Sequence, residues 1–521
     1  MLFWIILTIL ILVIFVTNQH YFSYWSNRNV PHKNPIFFLG DLAGMLSLKK
    51  GMGEYFARIY ENNKNKRIFG LYFSYRPTLL ICDPLLIQDV LIKDFPSFHD
   101  RGFPINEEVD PLGGHLFVLS GQRWRDLRVK LSPTFTGGKL KGMYPTIFNC
   151  AHVLQEYIEK GVQNGNDIFD IHDLMGRFTT NVISSVAFGI ENDCINDPED
   201  VFRKMGVKFI QPTLKIMIIN ILTVFVPKLL TLLKIKIVPH DIEEFFMSVV
   251  QQTIEQREKN QDFERKDFMQ MLIQLKNQGY VSADKDDDQN NTESTSADKK
   301  HETRKLTLHE VASQAFLFFA AGFETSSSTS NFCLLELSKN PEVQKKAQDE
   351  IDEIMSASNS SEITYDMLGK MKFLECCIDE TLRKYPIVPV HIRECTKDYT
   401  FSDSNWNIEK GTTVFIPVQG LHRDPNIYEN PMEFRPKRFM DSASGNGNSN
   451  GVYYMPFGDG PRNCIGARMG KLQTKLGLAM ILSKFSFEPV DKHLMNSEIE
   501  MHPNQFILTP KETILLKASL R

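Results

Sequence analysis

The sequence has neither the cysteine pattern of a disulfide-stabilised protein nor that of a zinc-binding one. Its eight cysteines are scattered over 521 residues, without dense, even spacing and without paired C-x-x-C motifs. We therefore expect a reducing compartment. Free cysteine packs as a small apolar side chain, so each of the eight is expected in the core unless its neighbours indicate chemistry.

A strong net charge and a dinucleotide-binding motif are also missing. The formal net charge is -4 at pH 7 and the sequence pI is near 6.4, so nucleic acid is not an expected partner. No Gly-rich dinucleotide fingerprint follows a predicted strand, which predicts that no flavin or nicotinamide domain is fused to the chain. The length and a hydrophobic content of 42% allow one large core or two ordinary ones.

The N-terminus carries a long apolar run without charge. Leu2 to Val16 nearly cross a bilayer core, which needs roughly 17–25 helical residues. The following aromatic residues would form an interfacial belt: Tyr21, Phe22, Tyr24 and Trp25. We predict an anchor with its belt over residues 1–27 and a proline-containing linker over residues 28–36.

A cleaved signal peptide is the alternative for the N-terminus. It favours basic residues before the apolar run, whereas Arg28 and Lys33 follow it. By the positive-inside tendency, these residues hold the rest of the chain in the cytosol, so the sequons at Asn290 and Asn359 would stay unglycosylated. A second apolar stretch, Ile216 to Val226, is too short to span a membrane; it is either a core helix or a segment that dips into that membrane.

The remaining sequence predicts a mainly helical body with a minor β portion. Residues 71–82 are rich in β-branched and aromatic side chains and predict a hairpin that turns near Arg76 and Pro77. Residues 281–305 are polar and predict a solvated loop. Three amphipathic patterns predict helices: Phe148 to Gly161, Leu174 to Phe188 and Ile242 to Lys259.

An unusually long helix is predicted from Thr307 to about Ser338. Thr307 and Glu310 form a capping-box pattern at its start. The segment from Ala315 to Gly322 is apolar on nearly every face and should pass through the centre of the protein. Glu324 and Thr325 follow at once. They indicate either a structural kink with satisfied polar groups or a groove where a small ligand and water meet an acid and an alcohol.

One cysteine stands in a loop that indicates chemistry. Residues 457–466 read FGDGPRNCIG, and a helical pattern runs from Ala467 to Leu482. The glycines and the proline predict a tight loop whose backbone N–H groups can point at the sulfur of Cys464 and stabilise its thiolate. Such a thiolate is a soft, electron-rich ligand for a metal.

These residues match the pattern F-x-x-G-x-R-x-C-x-G, and the chain resembles the cytochrome P-450 family. Three other motifs support the resemblance: AGFETS at residues 321–326, ETLR at 380–383, and Trp124 with Arg128 as W-x-x-x-R. The closest resemblance is to arthropod microsomal members that oxidise xenobiotics. It implies a single large haem domain over residues 37–521 with a long central helix, together with the N-terminal transmembrane anchor.

The resemblance implies a role for each matching residue. Cys464 would be the axial ligand of haem b, where a thiolate favours O–O cleavage. Glu324 and Thr325 would relay protons to bound dioxygen. Further residues would contact the haem or its propionates: Trp124, Arg128, Arg393, Phe457, Arg462, Gly466 and Arg101. Glu380, Arg383 and Arg438 would form a buried structural network; Lys437 stands where the family usually has Glu, which affects only a local surface contact.

Partners and substrate also follow from the resemblance. Electrons would come from NADPH through a separate reductase docking near Arg125, Lys130, Arg435, Lys437 and Lys471, with cytochrome b5 as a further partner, at the endoplasmic reticulum membrane. A lipophilic substrate pocket would be lined by Phe117, Phe316, Ala320, Val388, Val390 and Phe506, although their composition equally suits a core.

Two rival functions stay open: a haem-thiolate isomerase or dehydratase that needs no reductase, and a haem-free membrane-tethered binding protein.

Overall fold

The structure is a computed structural model. It describes residues 1–46, 51–211, 213, 215, 218–219, 222, 232–260, 265–282, 304–358, 360–402, 404–443, 452–495, 498–503 and 505–521. Most of the predicted polar loop at 281–305 and most of the stretch from Ile216 to Val226 lie outside these residues, as do Asn290 and Asn359. Over the described residues the chain is mainly helical with a small β portion, which confirms the predicted fold class.

Helices dominate the described part of the chain. In chain order, α1 to α9 are Leu2–Phe22, Leu42–Leu46, Met52–Asn63, Pro84–Gln88, Gly121–Leu131, Gly137–Gln163, Ile171–Ile183, Val201–Ile210 and His240–Lys259. Helices α10 to α17 are Phe268–Asn277, Leu308–Lys339, Pro341–Ala357, Tyr365–Lys370, Lys372–Lys384, Val418–His422, Lys437–Ala443 and Ala467–Leu482.

Within the residues that the structure describes, the strands form three small sheets. Strands β1 to β9 are Ile68–Phe73, Arg76–Ile81, Ile168–Asp170, His391–Glu394, Tyr399–Thr400, Asn407–Ile408, Thr413–Ile416, Phe485–Pro489 and Leu515–Leu520. The largest sheet has the order β1-β2-β7-β4, in which β2 and β7 are parallel and the other pairs antiparallel. The others are β3-β9-β8 and the pair β5-β6.

The predicted hairpin forms, but its turn is displaced. The register pairs Phe73 with Arg76 and Tyr72 with Pro77, so the turn lies at Ser74 and Tyr75, and Arg76 and Pro77 belong to β2. The predicted turn position was wrong because Ser74 adopts a positive φ of 55°, which nothing in its residue type indicates. Pro77 is tolerated because the β2–β7 pairing begins only at Thr78.

The predicted helices form, with shifted ends. Phe148 to Gly161 lie inside α6, which begins earlier and contains Pro145. Burial of Leu140, Met143 and Ile147 in the main core outweighs the poor helix propensity of that first stretch. The pattern from Leu174 to Phe188 is α7 continued by a π-helical turn at Ser184–Phe188.

The long helix α11 runs through the main core, as predicted. The Thr307 hydroxyl accepts from the Glu310 backbone N–H (3.2 Å), and the Glu310 carboxylate accepts from the Thr307 N–H (2.9 Å), so the capping box is confirmed. The helix packs against α7, α9, α14 and α17. It therefore lies between most of the elements that surround the candidate site.

The N-terminal helix α1 is the one helix in the described residues that is long and apolar enough to cross a membrane. Its aromatic end does not form the predicted belt as a whole. Trp25 is fully buried, and its indole N–H donates to the Leu71 carbonyl (2.9 Å), while Phe22 packs on Tyr72. The belt prediction is wrong for Phe22 and Trp25, because the β1 side of the sheet offers them an apolar surface; Tyr21 stays exposed.

Candidate active site

The cysteine loop is built from turns that require glycine. Gly458 and Gly460 have φ of 73° and 68°, and a Cβ on Gly460 would lie 1.9 Å from the Leu91 carbonyl oxygen. The Cys464 N–H donates to the Phe457 carbonyl (2.8 Å), and α17 begins three residues later at Ala467. Phe457 is partly buried against the main core. The loop thus holds Cys464 at a fixed place before the helix.

Cys464 is the exposed member of the eight cysteines; the other seven are buried or half-buried. Desolvation by the surrounding protein raises the pKa of its thiol, while the Gly466 N–H and the charges of Arg128 and Arg101 act in the opposite direction. These three groups favour the thiolate. A cation bound at the sulfur would add to them, because metal coordination deprotonates a thiol.

Arg462 links the cysteine loop to the segment before α5. Its side chain is fully buried, with Nε donating to the His99 carbonyl (2.5 Å) and Nη2 to the Leu119 carbonyl (2.6 Å). Nη2 also lies 3.2 Å from the carboxylate of Asp100. The guanidinium carbon stacks 4.1 Å from the ring centroid of Trp124. Trp124 and Arg462, both predicted to contact the haem, therefore pack against each other.

The half-buried Arg101 and the buried Arg393 complete a cluster of cations. Arg101 donates to the Phe117 carbonyl (2.6 Å) and to the Arg462 carbonyl (3.3 Å). Arg393 is 2% exposed, and its Nε is buried without a hydrogen-bond partner. Burial, followed by the charges of Arg101 and Arg462, holds the pKa of Arg393 well below its usual value. Burial, with the neighbouring Arg101 next, likewise lowers the pKa of Arg462 to about 9.

Arg128 joins the cysteine loop by another route. Its two terminal nitrogens donate to the backbone carbonyl (2.9 Å) and the side-chain oxygen (2.7 Å) of Asn463. The motif W-x-x-x-R on α5 thus contacts the loop through Arg128 and through the stacking of Trp124 on Arg462. These contacts join the predicted residues Trp124, Arg128, Arg101 and Arg462 to the Cys464 loop, and the predicted Arg393 lies near enough for the charges of Arg101 and Arg462 to lower its pKa.

The chemistry of these residues fits haem. Among the described residues, the carboxylate bonded to the cluster is that of Asp100, on Arg462, which leaves the buried Arg393 and the half-buried Arg101 and Arg128 without a carboxylate partner. Burying a cation without an anion is costly, so the cluster fits a ligand that carries carboxylates. Arg suits carboxylates because it binds them in a bidentate manner. A cysteine sulfur beside such a cluster fits an iron porphyrin with two propionates.

Helix α11 places the acid and the alcohol beside the helix that follows Cys464. Gln473 on α17 donates to the Gly322 carbonyl (2.9 Å) and to the Ser326 hydroxyl. A Cβ on Gly322 would lie 2.7 Å from the Ile183 side chain, so glycine allows α11 to approach α7 closely. The Thr325 hydroxyl donates one turn back to the Ala321 carbonyl (2.6 Å), a bond that a threonine within a helix can make.

Glu324 and Thr325 are in different surroundings. Ala321 is exposed and Thr325 half-buried, whereas Glu324 is 5% exposed. The Glu324 carboxylate accepts from His172 at the start of α7 (3.2 Å) and lies 3.4 Å from the Ser328 hydroxyl. Glu324 is therefore bonded on the side of α11 that faces α7, whereas Thr325 lies on the more open side of α11.

The E-x-x-R pair forms the predicted buried network. Glu380 and Arg383 make two hydrogen bonds of 2.9 Å, and both side chains are fully buried. Arg383 also donates to the carbonyls of His422 (2.8 Å) and Pro431 (2.7 Å). Arg438 lies 3.2 Å from Glu380. The network fastens the segment at 422–438 to α14, and α14 packs against α11 and α17.

The predicted substrate-lining residues lie in several different environments. Phe316 is buried and packs edge-to-face against Phe209 and Phe246, whose ring centroids are 5.0 and 5.2 Å away. Phe117 lies against Arg101, whereas Val390 is buried in the core beside the large sheet. The other three differ in exposure: Ala320 and Val388 are half-buried and Phe506 is 41% exposed. Their lining role stays a prediction.

Several residues of the site have no sequence signal. Asp100 pairs with Arg462 across 362 residues, and Asn463 is recognised only through its bonds to Arg128. Gln314 accepts from the Leu116 N–H (3.0 Å) and donates to the Gly114 carbonyl (3.2 Å), which ties the loop before α5 to α11. His172 meets Glu324 across 152 residues. These contacts depend on the fold and could not be expected from local patterns.

Comparison with known proteins agrees with this geometry. The chain matches the family described as Cytochrome P450 over residues 30–517. It is 39% identical over 502 residues to Probable cytochrome P450 6a14 of Drosophila melanogaster, covering 95% of each chain. It is 38% identical over 500 residues to Cytochrome P450 6A1 of Musca domestica, covering 95% of this chain and 93% of the relative. The chain therefore belongs to the cytochrome P450 family, and it is a haem-thiolate monooxygenase.

Proposed function

We propose that this protein inserts one atom of dioxygen into lipophilic organic compounds, xenobiotics among them, with electrons delivered from NADPH by a separate reductase. The observation that carries the proposal is the exposed Cys464, held in its glycine loop beside a cluster of arginines that has Asp100 as its carboxylate partner among the described residues. The insect relatives support the reaction class, since those compared carry cytochrome P450 names.

Haem binding would use the residues around the loop. Cys464 would ligate the haem iron, Phe457 and Gly466 would lie beside it, and the propionates would be held by Arg101, Arg128, Arg393, Arg462 and Trp124. When bound, the haem supplies activation of dioxygen, and its thiolate ligand favours O–O cleavage. The arginines contribute by orienting the group, because each presents a planar fork to a carboxylate.

Proton supply would be the task of Thr325 and Glu324. The Thr325 hydroxyl donates to Ala321 in the structure, and rotation about its side-chain bond would let it donate toward the open side of α11 instead. Glu324 is the neighbouring acid that can replace the proton. Positioned acid–base groups of this kind typically contribute about 10²- to 10⁴-fold to a rate.

The reductase and the membrane are the two further partners we propose. Arg125 and Lys437 are exposed, while Lys471 pairs with Asp379 (2.6 Å) and Arg435 pairs with Glu429 and Glu433. Arg125 and Lys437 are therefore the cations most open to an acidic reductase surface. We place α1 across the endoplasmic reticulum membrane with the body in the cytosol. Cytochrome b5 is proposed as an additional electron donor.

Replacement of Cys464 by serine tests the proposal. With NADPH and reductase, the natural protein should oxidise lipophilic compounds, and its reduced form under carbon monoxide should show the red-shifted Soret band of a thiolate ligand. Both should vanish in Cys464→Ser. Cys395→Ser is the matched control, since Cys395 is buried beside the large sheet. Product formation without NADPH would instead favour an isomerase or dehydratase, and persistence of the band in Cys464→Ser would overturn the assignment.

A further inference from the structure

The acid of α11 is bound to a histidine that the proposed mechanism does not use. His172 Nε2 and Glu324 Oε1 are 3.2 Å apart, and the Ser327 hydroxyl on α11 lies 3.4 Å from the His172 carbonyl oxygen. Asp170 caps the start of α7 through the Asp173 N–H (3.2 Å), which places His172 in the first turn of that helix. The contact therefore joins the first turn of α7 to the centre of α11.

His172 lies between solvent and the buried acid. Its side chain is 28% exposed, whereas the Glu324 side chain is 6% exposed. An imidazole has two nitrogens, so it can accept a proton on one and donate a proton from the other. A histidine that is partly exposed and bonded to an enclosed carboxylate has the geometry of a proton entry point.

Charged groups on strand β3 and on helices α7, α8 and α11 surround the histidine. Asp170 and Glu324 favour the imidazolium, and Arg203 on α8 opposes it. Arg203 is itself paired with Asp173 (3.2 Å), and Asp173 also pairs with Arg177. Burial disfavours the charged imidazole, but the hydrogen bond and the charge of Glu324 outweigh burial and raise the pKa of His172.

We propose that His172 is a positioning residue that holds Glu324 and supplies it with protons from solvent. The inference rests on the proposed function, in which Glu324 serves the monooxygenase reaction. In the step, the Nε2–H bond of the imidazolium breaks as an O–H bond forms at Glu324 Oε1. A proton from solvent then restores the imidazolium, and no electrons move. Coupling of NADPH use to product formation should therefore fall as pH rises through the pKa of His172.

Two variants separate proton supply from a purely structural ion pair. His172→Gln keeps an N–H donor but cannot titrate, and His172→Lys keeps a cation that stays charged over the assay range. The matched control is His152→Gln, since His152 lies 3.5 Å from Glu156 on the exposed side of α6. For each protein, product formed and hydrogen peroxide released per NADPH are measured from about pH 6 to about pH 9.

Under the proposal, both His172 variants lose coupling by about tenfold at the acid end, and their coupling becomes independent of pH. The His152 variant keeps the natural profile. If His172→Lys restores the natural coupling and profile, the contact is only an ion pair and the proposal is wrong. A natural profile in His172→Gln would also overturn it. If the natural protein itself forms no product, the proposed function fails instead.

A second measurement does not depend on turnover. Because the folded pKa of His172 is raised above the unfolded value of about 6.5, its stabilisation is fully present below that value and is lost as pH rises through the folded pKa. Urea unfolding should therefore show His172→Gln less stable than the natural protein at acid pH, with the difference shrinking at alkaline pH. The difference should disappear in a Glu324→Gln background. If the difference in stability between His172→Gln and the natural protein is independent of pH, the inferred ion pair between His172 and Glu324 is wrong.

Discussion

At the residue scale, the buried pair Glu380–Arg383 is expected to control folding around the haem. Arg383→Ala would leave Glu380 as a buried charge, which typically costs about 3–5 kcal/mol. It would also leave the His422 and Pro431 carbonyls without their donor. We expect loss of haem incorporation and not merely a slower rate. Haem content per chain and urea unfolding measure this.

Arg435→Ala is the control for that prediction. The Arg435 side chain is 40% exposed, and its ion pairs with Glu429 and Glu433 are at the surface, where a pair contributes about 0–1 kcal/mol. The Arg435→Ala protein should therefore keep its haem. A folded, haem-loaded Arg383→Ala protein would mean that the network does not hold the segment at 422–438 in place.

Thr325 is the second residue at which a substitution should change the reaction, because its hydroxyl is proposed to relay protons. Thr325→Val keeps the shape and removes the O–H, so product per NADPH should fall by about tenfold or more while hydrogen peroxide rises. Substrate-induced spectral shifts should stay the same, because substrate binding does not use this hydroxyl. Thr329→Val is the control one turn on, since its hydroxyl donates only to the Thr325 carbonyl (2.7 Å). Equal losses in both variants would point to helix distortion.

At the scale of elements, Trp25 belongs to the folded body, whereas most of helix α1 before it is exposed. Trp25→Ala should destabilise the body by about 3–5 kcal/mol, because a fully buried indole that fills the space above Gly70 is removed. Trp4→Ala, at a residue 67% exposed on α1, should leave unfolding unchanged. Thermal unfolding in detergent measures both. Equal stability of the two variants would mean that Trp25 does not belong to the folded body.

The elements also show what could be predicted. Helix α11 and its cap follow from periodicity and from a local box, and α17 begins and ends where the pattern from Ala467 to Leu482 does. The hairpin turn could not be predicted because Ser74 adopts a positive φ that its residue type does not indicate. The burial of Trp25 could not be predicted because it depends on β1, 46 residues along the chain. The same holds in the site. The Cys464 loop is local, whereas the bond from His172 to Glu324 is made by the packing of α7 on α11.

At the scale of the whole molecule, buried neutral histidines make the fold sensitive to acid. Burial lowers the pKa of His115 and of His391 to about 4, and that of His422 to about 3. Each binds its proton in the unfolded chain below about pH 6.5 but not in the folded one. Each should therefore lower the free energy of unfolding by about 1.4 kcal/mol per pH unit as pH falls from about 6.5 toward its folded pKa.

His422→Gln tests this acid sensitivity at a residue away from the cysteine loop. The His422 Nε2 accepts from the Met455 N–H (3.0 Å), and a glutamine oxygen can accept in its place without titrating. The free energy of unfolding, followed by urea from about pH 7 to about pH 5, should fall less steeply in His422→Gln, by about 1.4 kcal/mol per pH unit. His152→Gln should keep the natural slope, because that residue is half-exposed at the surface. Identical slopes in all three proteins would mean that His422 is protonated in the folded state.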